Sequence, residues 1–322
     1  MIKRPRFLPD NFTLAMIATV IAASFFPCHG QGEIIFNNVT HVAVSLLFFL
    51  HGAKLSREAV IAGITHWRLH LLVMLCTFAL FPLLGLLLKP VLTPLVTPDL
   101  YLGILFLCML PSTVQSSIAF TAAARGNVPA AICSASASNL FGIFLTPVLV
   151  GLLTSAQMAG GSPLDSALQI ALQLLLPFIA GQIARRWIGG WVERNKALTR
   201  LVDQGSILLV VYTAFSEAVG QGLWHDVSWA TLAGLMVVNA LLLGLVMFIS
   251  AQAARRLGFN REDRIAIVFC GSKKSLASGV PMAKVLFAGG ALGAVVLPLM
   301  LFHQLQLMVC AVLAQRYAKE VD

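Results

Sequence analysis

The stretch Arg264-Ile-Ala-Ile-Val-Phe-Cys-Gly-Ser-Lys-Lys-Ser-Leu-Ala-Ser-Gly-Val-Pro-Met-Ala-Lys-Val-Leu-Phe287 is long enough to cross a bilayer, yet its middle carries two adjacent lysines. Crossing needs about 20 mostly apolar residues. A lysine at the centre of a crossing helix costs about 2.5–3.5 kcal/mol on insertion scales. Neighbouring residues on a regular helix point about 100° apart, so Lys273 and Lys274 can share one cavity only if the backbone unwinds, which Gly271 and Gly279 permit. An earlier apolar stretch is interrupted in the same way, by Pro111-Ser-Thr-Val-Gln-Ser-Ser117. Pro111 and Pro281 each remove a backbone donor, and the small polar residues beside them can satisfy the freed carbonyls.

Outward from these two segments the whole chain is apolar. Of 322 residues 58% are hydrophobic and 11% charged, with mean hydropathy +0.88, too apolar to cover a water-soluble globule. Windows of about 20 residues pick out ten candidate spans, near 12–29, 36–53, 68–88, 100–123, 128–154, 166–185, 204–223, 229–253, 263–288 and 291–315. Continuous apolar runs such as 207–211 and 241–247 lack the alternation of a barrel strand, so helices are expected. The basic segment Met1-Ile-Lys-Arg-Pro-Arg6 before the first run also fits a signal peptide. That run is as long as the others, however, and is read as span 1.

The formal charge of +9 comes with no basic stripe of interleaved aromatics, so no nucleic-acid partner is expected. Its pattern is topological. With both termini in the cytoplasm, eighteen of the 22 Lys and Arg residues fall on the inner side and Lys89 alone outside. Lys273, Lys274 and Lys284 remain within span 9. Five spans before a short loop and five after it, each group with its fourth span interrupted, predict an all-α polytopic membrane protein. Its ten transmembrane helices form two inverted five-helix repeats, residues 1–160 and 161–322, with discontinuous helices 4 and 9 crossing near the midplane. A pair of ordinary proline kinks is the plainer alternative.

Intramembrane polar groups are the candidate site residues. A buried ammonium needs counter-charge or must give up its proton, and Glu217 is the acidic residue well inside an apolar run, hence the candidate partner of Lys273 and Lys274. Glu217 also lies near the outer end of span 7, where it can reach solvent. Lys284, nearer the outer end of span 9, fits snorkelling. Ser134 and Ser138 share a face of span 5 beside Asn139, and span 10 adds His303 and Gln304. Serines in such helices also serve close packing. The six cysteines lack CxxC or metal-ligand spacing, so free thiols and no structural metal are expected. No GxSxG, HExxH or phosphate-loop motif is present.

Across nearly its whole length the sequence resembles the bile acid:sodium symporter superfamily, in its divergent SBF-like branch. The matching blocks are Leu47-Phe-Phe-Leu-His-Gly-Ala-Lys-Leu-Ser56, Phe81-Pro-Leu-Leu-Gly85, Pro111 to Ser117, Ala124-Arg-Gly-Asn-Val128, Leu145-Thr-Pro147, Phe269 to Pro281 and Phe302-His-Gln304. The resemblance implies a panel domain of spans 1, 2, 6 and 7, a core domain of spans 3, 4, 5, 8, 9 and 10, and movement of organic anions with sodium. It carries over unevenly. The Ser-Asn pair of one sodium site falls on Ser116 and Ser117, and the span 5 ligands fall on Ala131 and Ala135, with hydroxyls displaced to Ser134, Ser136 and Ser138. The Glu-x-Gly-x-Gln ion motif reads Phe269-Cys-Gly-Ser-Lys273, so a shared carboxylate is lost and an ammonium stands where it would repel sodium.

These readings converge on a secondary transporter of the cytoplasmic membrane, not an enzyme, with no bound cofactor and with Na+ or H+ as the coupling ion if one is used. A small organic anion, steroid-like if the family resemblance extends that far, is expected at the crossing of spans 4 and 9. There Lys273 and Lys274 would attract it, the hydroxyls of Ser116, Ser117 and Ser134 with the amide of Gln115 would orient it, and Ser272 and Ser275 are further candidate binding residues. Ser116, Ser117 and Ser134 are the candidate sodium ligands. A sensor or regulatory protein on the same fold is the rival, and an intramembrane hydrolase pairing Ser275 with a lysine is a remoter one.

Overall fold

The structure, a computed structural model, describes residues 11–54, 66–92, 96–154, 163–220, 227–287 and 292–319. The expected repeat boundary at 160–161 and the basic residues Lys3, Arg4, Arg6 and Arg57 fall outside them. Among the described residues every regular element is a helix. In chain order they are α1 (Asn11–Phe25), α2 (Gln31–Lys54), α3 (Trp67–Leu87), α4 (Pro98–Met109), α5 (Gln115–Ala123) and α6 (Val128–Leu153). They continue as α7 (Pro163–Arg194), α8 (Lys196–Gly220), α9 (Trp229–Arg256), α10 (Arg261–Gly271), α11 (Leu276–Leu286) and α12 (Leu292–Lys319). A single turn at Lys89–Leu92 follows α3, whose middle, Cys76–Leu80, is π-helical.

Local chemistry explains where these helices start and stop. Thr97, Asn127, Ser228, Asn260 and Ser275 each accept a backbone N–H of the first turn through their side chains. Proline follows directly at Pro98, where a missing N–H costs nothing. Two helices end on a left-handed residue, Gly258 after α9 and Arg125 after α5. At each end two backbone bonds close the turn, Gly258 N–H to Arg255 O with Phe259 N–H to Ala254 O, and Arg125 N–H to Ala122 O with Gly126 N–H to Thr121 O. The Ala-Arg-Gly-Asn-Val link is then tied to the start of α10: Asn127 donates its backbone N–H to Glu262 O and its side-chain amide to Asp263.

Five helices, α2, α3, α6, α9 and α12, are long and apolar enough to cross a membrane. Leu14–Phe25 and Pro98–Met109 are shorter apolar helices. Spans 4 and 9 do not appear as single helices because each is split, α4 from α5 and α10 from α11. Exposed Val42, Leu83, Leu176 and Phe248 present apolar surface of the kind lipid tails cover. All six cysteines are free thiols.

Two details differ from the sequence reading. Pro281 lies inside α11 and does not end it; the interruption of span 9 is Ser272–Ser275, between the C-cap of α10 and the extended N-cap of α11. Gly279 is also helical, and an added Cβ would sit 2.4 Å from Leu110 Cδ1, so it serves close packing of α11 on the α4 end and not unwinding. The same logic governs α2 and α7. A Cβ on Gly52 would lie 2.0 Å from Phe178 O, and one on Gly181 would lie 1.9 Å from Phe49 O.

Candidate functional site

The two interruptions meet. At Leu110 the backbone turns extended, with φ −78° and ψ 155°, and the polar groups released from α4 find partners on other helices. Thr146 Oγ1 donates to Met109 O at 2.9 Å, Ser275 N–H to Pro111 O at 2.8 Å and Asn139 Nδ2 to Ser112 O at 2.6 Å. Ser112 donates its N–H to Ser138 Oγ at 3.0 Å and its hydroxyl to Cys270 O at 2.6 Å, closing the end of α10. Ser117 Oγ donates to Phe269 O at 3.1 Å. In the second gap Gln306 reads both sides of one peptide, accepting from Lys274 N–H and donating to Lys274 O, each at 2.9 Å. Ser278 Oγ donates to Asn139 Oδ1 at 2.7 Å, so Asn139 joins both gaps. These bonds satisfy the polar groups of the two gaps, as a dry interior requires, although among the described residues Thr121 Oγ1 and Lys273 Nζ are buried without a partner.

Beside this crossing lie two adjoining cavities of about 260 and 370 Å³, comparable with the ~300–1,000 Å³ of small-molecule sites. The N-terminal ends of both second half-helices border the first, through Val114, Gln115 and Ser116 and through Ser275, Leu276, Ala277 and Ser278. Helix N-termini carry partial positive charge and favour anions. Arg200, His51 and His303 add basic groups, and Lys54 lines the second cavity. Asp203 is the acidic residue in both linings; it pairs with Lys54, and its Oδ1 is buried with no hydrogen-bond partner among the described residues.

Of the residues picked from sequence, Gln115, Ser116, Asn139, Ser275 and His303 reach the cavity wall. Ser117, Ser134, Ser138, Ser272, Lys273 and Lys274 are buried behind it, and none lines either cavity. Gln304 is half-buried on α12 and also stands outside both linings. Of the candidate sodium ligands, Ser116 and Ser117 both contact Thr113 Oγ1, and Ser134 bonds elsewhere. Ser116 bonds with Thr113 at 2.8 Å, Ser117 with Phe269 O, and Ser134 with His70 Nδ1 at 2.7 Å.

The expected ion pair of Glu217 with Lys273 or Lys274 does not form. Glu217 faces Lys284 at 3.9 Å, and Lys284 is buried, donating to Asn37 Oδ1 at 2.7 Å instead of snorkelling outward. Both follow from α11 running on as a helix past Pro281, which turns Lys284 inward toward α2 and α8. The two central lysines are neutralised differently. Lys274 Nζ donates to Thr77 O, Cys108 O and Leu110 O at 2.7, 2.8 and 2.7 Å, with the Phe81 ring centroid 4.1 Å away. Lys273 Nζ has no hydrogen-bond partner among the described residues and lies over Phe120 at 4.1 Å and Phe269 at 5.4 Å.

Asp203 and Ser278 were missed from sequence. Asp203 lies one residue before the expected span 204–223, but α8 begins at Lys196 and carries it inward. Ser278 sits in the quoted stretch, and only its contact with Asn139 singles it out.

The chain is 70% identical over 319 residues to an uncharacterized protein of Pseudomonas aeruginosa, covering 99% of this chain and 96% of that one. It is 59% identical over 316 residues to a symporter-named protein of Escherichia coli K12, YfeH, covering 97% and 94%. It is 30% identical over 318 residues to sodium/bile acid cotransporter 7 of Rattus norvegicus, covering 96% and 92%. Residues 10–319 match a single transporter family throughout, and the chain belongs to that family, the SBF-like CPA transporters.

Proposed function

We propose that the chain is a secondary transporter of the cytoplasmic membrane that moves a small organic anion by alternating access. In this reading ten spans form two inverted repeats with both termini in the cytoplasm. The panel (α1, α2, α7, α8) rocks against the core (α3 to α6 and α9 to α12). Positive-inside charge supports the orientation. The carrying observation is the cavity onto which both half-helix N-termini open, with Arg200 beside them. There an anion gains two positive dipole ends and a guanidinium. The cotransporter name of the rat relative points to the same substrate class.

Proteoliposomes screened with radiolabelled organic anions, a conjugated bile acid among them, test this. Saturable, counterflow-competent uptake is expected; saturable binding without flux would favour a sensor on the same fold. Arg200→Gln should weaken apparent affinity about tenfold, equivalent to about 1.4 kcal/mol, with unchanged folding because the residue is exposed. Gln115→Ala, also exposed at the cavity, should lower uptake without shifting the thermal midpoint. An unchanged affinity in Arg200→Gln would remove the anion from the proposal.

A further inference from the structure

The three carbonyls around Lys274 Nζ are those that helix geometry leaves without a donor. Across the π-helical turn of α3, Phe81 N–H bonds Cys76 O. The next donor in that register, for Thr77 O, would be residue 82, a proline with no N–H. Cys108 and Leu110 lie where α4 ends. Ser112 N–H, which would continue the ladder to Cys108 O, goes to Ser138 instead. The negative end of the α4 dipole therefore points into the same small space, and the Phe81 ring presents its face there.

A shell of converging carbonyl oxygens with an aromatic face, at a helix C-terminus, is a cation site. We propose that it is one, and that the Lys274 ammonium is its permanent occupant. Tethered through the gap of span 9, it joins that gap to the end of α4 and to the π-helical turn of α3. No mobile sodium is needed at this position. Its neighbour Lys273, held by rings alone, does not share the role. The consequence for coupling rests on the transporter reading, whereas the cation site itself does not.

The test needs no transported solute. Lys274→Ala removes a segment equivalent to n-propylammonium and leaves its cage open, while Lys274→Met removes the charge and keeps the cage filled. Thermal midpoints of the purified full-length protein are measured in n-propylammonium chloride and in choline chloride at equal ionic strength, alongside equilibrium binding of 22Na+. The wild type is expected to bind no 22Na+ saturably and to respond equally to the two salts. Lys274→Ala should melt roughly 10 °C lower and regain at least half of that in n-propylammonium. Lys274→Met should melt lower with no such recovery, and Lys273→Ala should show no amine-specific recovery.

A folded Lys274→Ala that keeps the wild-type midpoint, or recovers no better in amine than in choline, overturns the assignment. So does saturable 22Na+ binding by the wild type that n-propylammonium, but not choline, displaces. If Lys274→Ala gives no folded protein, the wild-type sodium measurement decides alone. Failure to transport organic anions would leave all of these readings intact.

Discussion

Lys274→Met is expected to lower the thermal midpoint in detergent by about 10 °C, and Lys273→Met to leave it within about 2 °C or raise it. The two residues are adjacent, equally buried and identical in type. They differ in what their ammonium groups touch. Removing the Lys274 charge strands three buried carbonyls, at about 1–3 kcal/mol for each group left unsatisfied. Even the low end sums to about 3 kcal/mol, and about 2–4 °C per kcal/mol for a chain of this order gives the shift. Lys273 orphans nothing when replaced. Its contacts with Phe120 and Phe269 return up to about 2 kcal/mol, against several kcal/mol for desolvating a charge. A methionine of similar length keeps the packing without that cost. Equal losses in the two variants would show that burial alone, and not the carbonyl cage, sets the energetics.

Gly52→Ala and Gly181→Ala should each abolish the monodisperse folded peak in size-exclusion chromatography. An added methyl would meet a backbone carbonyl at 2.0 or 1.9 Å, so α2 and α7 must part by about 1 Å or more. Backbone cannot rotate aside as a side chain can, and the contact is reciprocal, each glycine facing a carbonyl of the other helix. Gly244→Ala and Gly205→Ala serve as controls. Nothing lies within 4 Å of their added Cβ, and alanine in a helix gains about 0.5–1 kcal/mol over glycine. Normal behaviour of both Gly52→Ala and Gly181→Ala would mean that the two helices are not packed this closely.

The interrupted spans were legible because a membrane makes polar residues conspicuous: Pro111 to Ser117 and Gly271 to Ser275 stand out against apolar surroundings. The second break is shorter than the polar stretch Gly271–Pro281: it spans Ser272 to Ser275, and Gly279 and Pro281 are helical. Pro281 lies mid-way along α11, where it removes one intrahelical donor without ending the helix. Gln115, Ser116, Asn139, Ser275 and His303 were found as polar groups in apolar spans. Asp203 was not, because it lies among the charged residues at the start of α8, where acidity carries no signal.

Composition and residue order by themselves determined that this chain is helical and membrane-embedded, with two polar gaps, because water-free surroundings forbid unpaired backbone and make charge expensive. Only the tertiary structure decided what the buried charges do. Sequence placed Lys273 and Lys274 one residue apart and offered Glu217 as their counter-charge. The fold gave Lys284 to Glu217, set Lys273 on two rings and surrounded Lys274 with carbonyls from α3 and α4. Main-chain oxygens belong to every residue and leave no mark in the amino-acid sequence. A site built from them exists only once the helices that expose them have come together.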